Sequence, residues 1–210
     1  MKKSLAVIAV VVSGLASGAS AQSLDNFGVE AGLSTLGFYI APKAEIAPQW
    51  QLRTPIYLGR FSGTFDADGN DVQGRLTSNS VAVMADYKLG GAGFRLSGGV
   101  SYGGYKLTGS ATTLTLEGND YTGDFNAKIQ QKQEFAPVLA IGYVRDLGSN
   151  WGLVAELGAR ITSLEVTTTG QEALLPADRA QFDADLAQIN SDLSDIKVLP
   201  FLTLGVSYKF

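Results

Sequence analysis

The chain has 210 residues, of which 45% are hydrophobic and only 17% charged, with 25 glycines and neither cysteine nor histidine. Without cysteine there are no disulfides, thiolate zinc sites, thiol nucleophiles or N-terminal lipid attachment, and without histidine the usual general base and transition-metal ligand are gone. A formal charge of -4 gives no electrostatic ground for a nucleic-acid partner.

Met1-Lys2-Lys3 is a basic start, Leu5 to Ala16 is almost purely apolar, and Ala19-Ser20-Ala21 has the small-x-small pattern read by signal peptidase. The apolar run falls short of the roughly 20 residues that span a bilayer. Residues 1–21 are therefore predicted to be a signal peptide and 22–210 the exported, mature domain.

Beyond Gln22 no apolar run is long enough for a membrane helix, and the recurring pattern is alternation. Leu202, Leu204, Val206, Tyr208 and Phe210 form one stripe, and Trp151, Leu153, Ala155, Leu157, Ala159 and Ile161 form another. Similar stripes run through 81–87, 94–102 and 135–143. The expected strands are 24–33, 36–47, 50–65, 72–89, 93–108, 133–146, 150–166 and 198–210. Eight strands suit a mature chain of about 190 residues, while sixteen-stranded porins need far more.

Alternation also fits a soluble sandwich, so the connections decide. Short links near Pro48-Gln49, Gly90-Ala92 and Asp146-Asn150 alternate with long ones near 66–71, 109–132 and 167–197. Transmembrane barrels have this asymmetry, with tight turns on the inner side and longer external loops. An aromatic stands beside each short turn (Trp50, Tyr87, Phe94, Tyr143, Trp151), joined by Tyr208 and Phe210 at the chain end. Such rings belong at the membrane interface. Phe27, Phe38, Tyr102 and Phe135 are expected in the opposite girdle, and Ser34-Thr35 is expected as the first external turn. The fold class is all-β: an eight-stranded antiparallel transmembrane barrel.

The opposite faces of these strands carry Lys43, Glu45, Arg53, Asp86, Lys88, Arg95, Glu156 and Arg160, the predicted lumen or constriction set. Glu45 with Arg53, and Asp86 with Arg95, flank short turns, so each acid is expected to lie opposite or diagonal to a base near the inner mouth. Either the charges form a static salt-bridged plug or they form a selectivity constriction. Glycines on the same faces (Gly99, Gly103, Gly142, Gly158, Gly205) leave room for water or for charged heads.

Among the loops, Asp66-Ala67-Asp68-Gly69-Asn70-Asp71 lacks the spacing of a calcium loop and reads as a hairpin turn. Glu117-Gly118-Asn119-Asp120 reads as the tip of a hairpin between 112–116 and 121–125. After Pro176, Phe182, Leu186, Ile189, Leu193 and Ile196 mark one helical face inside an acidic loop at about 167–197. That loop carries Glu172, Asp178, Asp183, Asp185, Asp192 and Asp195 against Arg179 and Lys197; it reads as an amphipathic helix packed over the rim, as a lid whose negative field concentrates cations at the mouth, or as a partner-binding helix. The glycine clusters at 90–93 and 98–99 precede no helix and are not a nucleotide fingerprint. No catalytic constellation, cofactor motif or metal site is found.

FLTLGVSYKF, ending in Phe210, resembles the C-terminal signature by which the outer-membrane assembly machinery recognises its barrels. FAPVLAIGYVRDLGSNWGLVAELGAR (135–160), STLGFYIAPKAEIAPQWQLR (34–53) and the acidic helical loop resemble the CarO type of eight-stranded barrel. The plan is also similar to the OmpA, OmpX and OmpW barrels. The resemblance implies a Gram-negative outer-membrane location with lipid contacts, and passage of small basic solutes such as ornithine. The leading expectation is thus a narrow porin-like channel for small solutes, and the alternative is a closed structural or surface-interaction barrel with a salt-bridged lumen. Enzymes resembling these barrels use histidine, so no enzymatic activity is expected.

Overall fold

Strands whose residues alternate between apolar and polar must bury one face, and here they do so by closing on themselves. The computed structural model describes residues 24–67 and 70–210; the predicted leader lies outside the described residues. Among the described residues eleven strands are formed: β1 (Phe27–Ser34), β2 (Gly37–Ala47), β3 (Trp50–Arg53), β4 (Ile56–Ala67), β5 (Asn70–Leu89), β6 (Phe94–Leu116), β7 (Asn119–Gln131), β8 (Phe135–Gly148), β9 (Trp151–Ile161), β10 (Leu164–Thr169) and β11 (Val198–Lys209), with one α-helix, α1 (Pro176–Asp195). Pro55 lacks a ladder donor, and it stands in the gap that divides β3 from β4. Counted as one wall strand, β3 and β4 complete an eight-membered antiparallel ring, β1-β2-β3/β4-β5-β6-β8-β9-β11, and β11 pairs back onto β1 from Gly28↔Lys209 to Ser34↔Thr203.

Closure inverts the usual arrangement of a soluble domain. Leu139, Leu157 and Leu204 on the outside are 59%, 58% and 55% exposed, while Arg53, Asp86 and Glu156 inside are buried. This is the pattern of a barrel whose outer solvent is hydrocarbon. The aromatics beside the short turns are neighbours in pairs: Trp50 with Tyr87 at 5.1 Å, Phe94 with Tyr143 at 4.9 Å, and Trp151 with Tyr208 at 4.9 Å between ring centroids. Tyr102 and Phe135, 4.9 Å apart, lie toward the long-loop end, as does Phe38. Phe27 does not join them. It opens β1 at the short-turn end, where its carbonyl accepts the Phe210 N–H.

Above the ring the strands run further than expected. The hairpin expected with its tip at 117–120 is formed, but it is longer than 112–125: β6 continues to Leu116, the chain turns at Glu117 and Gly118 with φ of 49° and 84°, and β7 returns to Gln131. The strand expected over 150–166 ends at Ile161. After Thr162-Ser163 the chain leaves the ring and forms β10, which pairs with β7. The β4–β5 hairpin remains in register to Ala67↔Asn70. Together β4, β5, β6, β7 and β10 form a sheet that stands beyond the barrel. The first external turn falls at Thr35-Leu36, and Leu36 is fully buried.

The helix has Pro176 at its start, as expected, and packs on the external sheet. Phe182 stacks on Phe125 (5.6 Å) and meets Tyr121 edge-on (5.0 Å), with Leu116, Leu186 and Ile189 in the same cluster. Leu193 is half-buried, while Ile196 lies past the helix and is exposed. Asn190 brackets the edge of β10: its side-chain amide donates to the Val166 carbonyl (2.9 Å), and its carbonyl accepts the Val166 N–H (2.7 Å). An otherwise open strand edge is thereby satisfied.

Candidate functional site: the charged lumen

The lumen-facing charges sort into three levels along the barrel axis. At the short-turn mouth, Lys88 Nζ donates to Glu45 at 2.8 Å, and Lys209 Nζ lies 3.6 Å from the same carboxylate. All three remain partly exposed around a cavity of about 340 Å³, which ends inward at Arg95.

The middle level is buried. Arg53 donates through Nε to Asp86 (3.0 Å) and through Nη2 to Glu156, and its Nη1 lies 3.7 Å from Glu30. Arg95 donates to both oxygens of Glu30 (2.6 and 3.0 Å) and to Glu156 (2.9 Å). Gln51 donates to Asp86 at 2.8 Å, and Lys43 to Glu30 at 3.2 Å. Three acids thus face two arginines and one lysine, a formally neutral set drawn from β1, β2, β3, β5, β6 and β9. Forked guanidiniums suit such a cluster, because each can hold two carboxylates at once.

The third level contains Arg160, a member of the predicted lumen set that stands apart from the ion-paired charges. It donates to Ser80 Oγ at 2.6 Å, and its guanidinium lies 5.5 Å from the ring centres of both Tyr57 and Tyr105. Around it the lumen is filled by Leu36, Tyr39, Tyr57, Met84, Val138 and Phe201. Two of the lumen glycines make room for this filling. A Cβ on Gly158 would come within 2.3 Å of the Phe201 ring, and one on Gly142 within 2.7 Å of Arg95 Nε. The space they leave is occupied by side chains.

Each acid lies diagonal to the expected base, Glu45 to Arg53 and Asp86 to Arg95, but the shortest contacts are made with other partners. Register sets Lys43 opposite Arg53 and Glu45 opposite Gln51. Two like charges face each other there, so each turns to a carboxylate elsewhere: Lys43 to Glu30, Arg53 to Asp86 and Glu156. Similarly Lys88 lies opposite Arg95 and Asp86 opposite Ser97. Asp86 and Arg95 approach only to 3.9 Å, and the shorter contact of Asp86 is with Arg53. Glu30, absent from the predicted set, is central. Its signal was present, since it shares a strand face with Gly28 and Gly32, and that face points inward throughout β1.

Removing any member leaves a buried charge uncompensated, at a cost of about 3–5 kcal/mol. Chemically the cluster holds charge in place. It presents no nucleophile–base pair, and no metal-binding group of carboxylates occurs among the described residues.

The closed ring, its apolar exterior and its ion-paired interior define the class: an eight-stranded transmembrane β-barrel. The fold is CarO-like. The chain superposes on the crystal structure of Acinetobacter baumannii CarO with a TM-score of 0.62 and 20% identity, covering 90% of this chain and 100% of that one. Against Acinetobacter baumannii CarO2 the values are 0.64 and 19%, over 88% and 98%. No protein-family model and no curated protein matches the chain.

Proposed function

We propose that this protein is an outer-membrane barrel, closed at rest, whose work is done by its external face. The observation that carries this reading is the layered filling of the lumen: five mutually bonded charges (Glu30, Arg53, Asp86, Arg95, Glu156) beneath a layer of Leu36, Tyr39, Tyr57 and Phe201, all buried. An eight-stranded barrel is just wide enough for its own side chains, and here they are in place. In this reading the short turns face the periplasm, the external sheet and α1 face outward, and the terminal strand to Phe210 is what the assembly machinery recognises. Lipid is the constant partner of the apolar band.

A second reading has its own support. The cavity on the short-turn side is lined by Lys43, Glu45 and Lys88 and reaches the buried cluster at Arg95. Lys43, Glu45, Arg53, Asp86, Lys88, Arg95, Glu156 and Arg160 would then line a gated constriction for small solutes, basic amino acids included. Liposome swelling separates the two. For the closed barrel, proteoliposomes in isotonic glycine, lysine or ornithine swell no faster than protein-free liposomes. Faster swelling in the basic amino acids would install the gated reading instead.

A further inference from the structure

The external sheet has two faces of opposite character. One is covered by α1. The other continues the lipid-facing surface of the barrel upward and carries a basic field. On β4, Leu58 and Arg60 share that face, and the same parity runs from Val81 to Arg75 on β5 and from Tyr102 to Lys106 on β6. The ladder aligns Arg60, Thr77, Lys106 and Gln130 in one row. The next row aligns Ser62, Arg75, Thr108 and Lys128. The apolar row Phe38↔Leu58 lies two residues below the first, about 7 Å along a strand. The row of Tyr102 and Phe135 lies two residues further down.

Arg60, Arg75 and Lys106 are exposed and Lys128 is half-buried. None of the four forms an ion pair among the described residues. Glu165 stands at the margin of the first row, where it accepts the side-chain amide of Gln130, and Asp124 lies further out on β7. The face is hollow: two adjoining clefts of about 740 and 810 Å³ share Arg75, Lys106 and Thr108. Hydroxyls of Ser62, Thr108, Ser110 and Thr167 stand among the bases.

We propose that this face binds the phosphate groups of outer-leaflet lipid headgroups. Four cations just above an exposed apolar band stand where headgroup phosphates lie, and basic side chains attract anionic headgroups at that depth. Serine and threonine hydroxyls supply further donors to phosphate oxygens. Bases drawn from four strands meet here in two adjacent rows. The inference rests on the outward orientation given above.

The test is native mass spectrometry of the whole protein released from detergent micelles. The probes are a bis-phosphorylated glycolipid, the same lipid after phosphatase treatment, and inorganic phosphate. The phosphorylated lipid is expected to bind at least tenfold tighter than its dephosphorylated form. The variant Arg60→Gln/Arg75→Gln/Lys106→Gln/Lys128→Gln is expected to lose that preference, with folding checked by heat-modified electrophoretic mobility. If the fourfold variant does not fold, Lys106→Gln/Lys128→Gln serves, with an expected threefold loss. Equal binding of the two lipids, an unchanged preference in the variant, or displacement of the lipid by an equal concentration of inorganic phosphate would overturn the proposal. Swelling of wild-type proteoliposomes would count against the closed barrel and leave this result standing, so the two failures are distinguishable.

Discussion

The barrel and the cap above it are built from the same strands, yet they place their residues in opposite ways. Within the ring, β5 turns Met84 and Asp86 inward and leaves Val83 more than half exposed. Further out, β6 and β7 turn Leu116, Tyr121 and Phe125 against α1 and leave Lys106 and Lys128 on the other face. The surroundings account for the reversal. In hydrocarbon an apolar side chain loses nothing by facing outward, so the interior is free to hold charge. In water the apolar side must be covered, and a helix is recruited to cover it.

Breaking the lumen cluster should have the largest effect. Arg53→Ala strips Asp86 and Glu156 of their main counter-charge, and the refolded barrel should lose about 3–5 kcal/mol in urea titrations followed by heat-modified mobility. Phe182→Ala should cost about 3 kcal/mol, but locally. Residues 176–195 become susceptible to protease, while the barrel's unfolding midpoint stays within error of wild type. Equal loss of barrel stability in both variants would show that the two regions are not separate. Leu204→Arg sharpens the contrast from the lipid side. It should cost about 2–4 kcal/mol in a bilayer, measured as the fraction refolded into vesicles.

The smallest effect concerns the one carboxylate inside the cap. Asp185 accepts from Tyr121 Oη (2.8 Å), Asn119 Nδ2 (3.0 Å) and Gln181 Nε2 (2.7 Å). The Asn119 hydrogen bond, then those of Tyr121 and Gln181, hold its carboxyl below the ordinary value of 3.8 against the opposing effect of burial. Burial, with the hydrogen bond to Asp185, pushes the Tyr121 phenol from 10.0 up to about 12. A depressed acid stabilises above its unfolded value and loses that contribution as pH falls through the folded one. A raised phenol stabilises below 10.0 and loses its contribution as pH rises toward about 12. The cap should therefore be most stable between about pH 4 and pH 10, the interval between the two ordinary values. Ultraviolet difference titration of wild type against Tyr121→Phe should isolate a phenol ionising well above 10, and Asp185→Asn should bring it back toward the ordinary value.

What was legible in the sequence follows the same division. Wall strands see lipid on one side and a polar lumen on the other, so their period of two is clean and the ring could be counted. In the cap strands the alternation over 109–132 is weaker, so the hairpin's tip at 117–120 could be read but not its full length. The departure of β10 at Thr162-Ser163 carries no local signal, because the strand simply changes partner. In the lumen, parity identified which side chains point inward, Arg53, Asp86, Arg95 and Glu156 among them. Partner choice depends on register and on chords across the barrel, such as Arg95 to Glu30, and those are invisible in sequence spacing. The basic rows were missed for a related reason, since Arg60, Arg75, Lys106 and Lys128 come from four strands and meet only when the ladder is assembled.

The central claim is that the layered filling, ion pairs beneath Leu36, Tyr39, Tyr57 and Phe201, holds the lumen shut. It is tested most directly by ion current through a planar bilayer, recorded for wild type and for Arg53→Ala/Glu156→Ala/Tyr57→Ala/Phe201→Ala, with insertion of each confirmed by protease protection. The account predicts a silent wild type, and discrete current steps when the centres of both layers are removed. Steps of equal size in both proteins would contradict it.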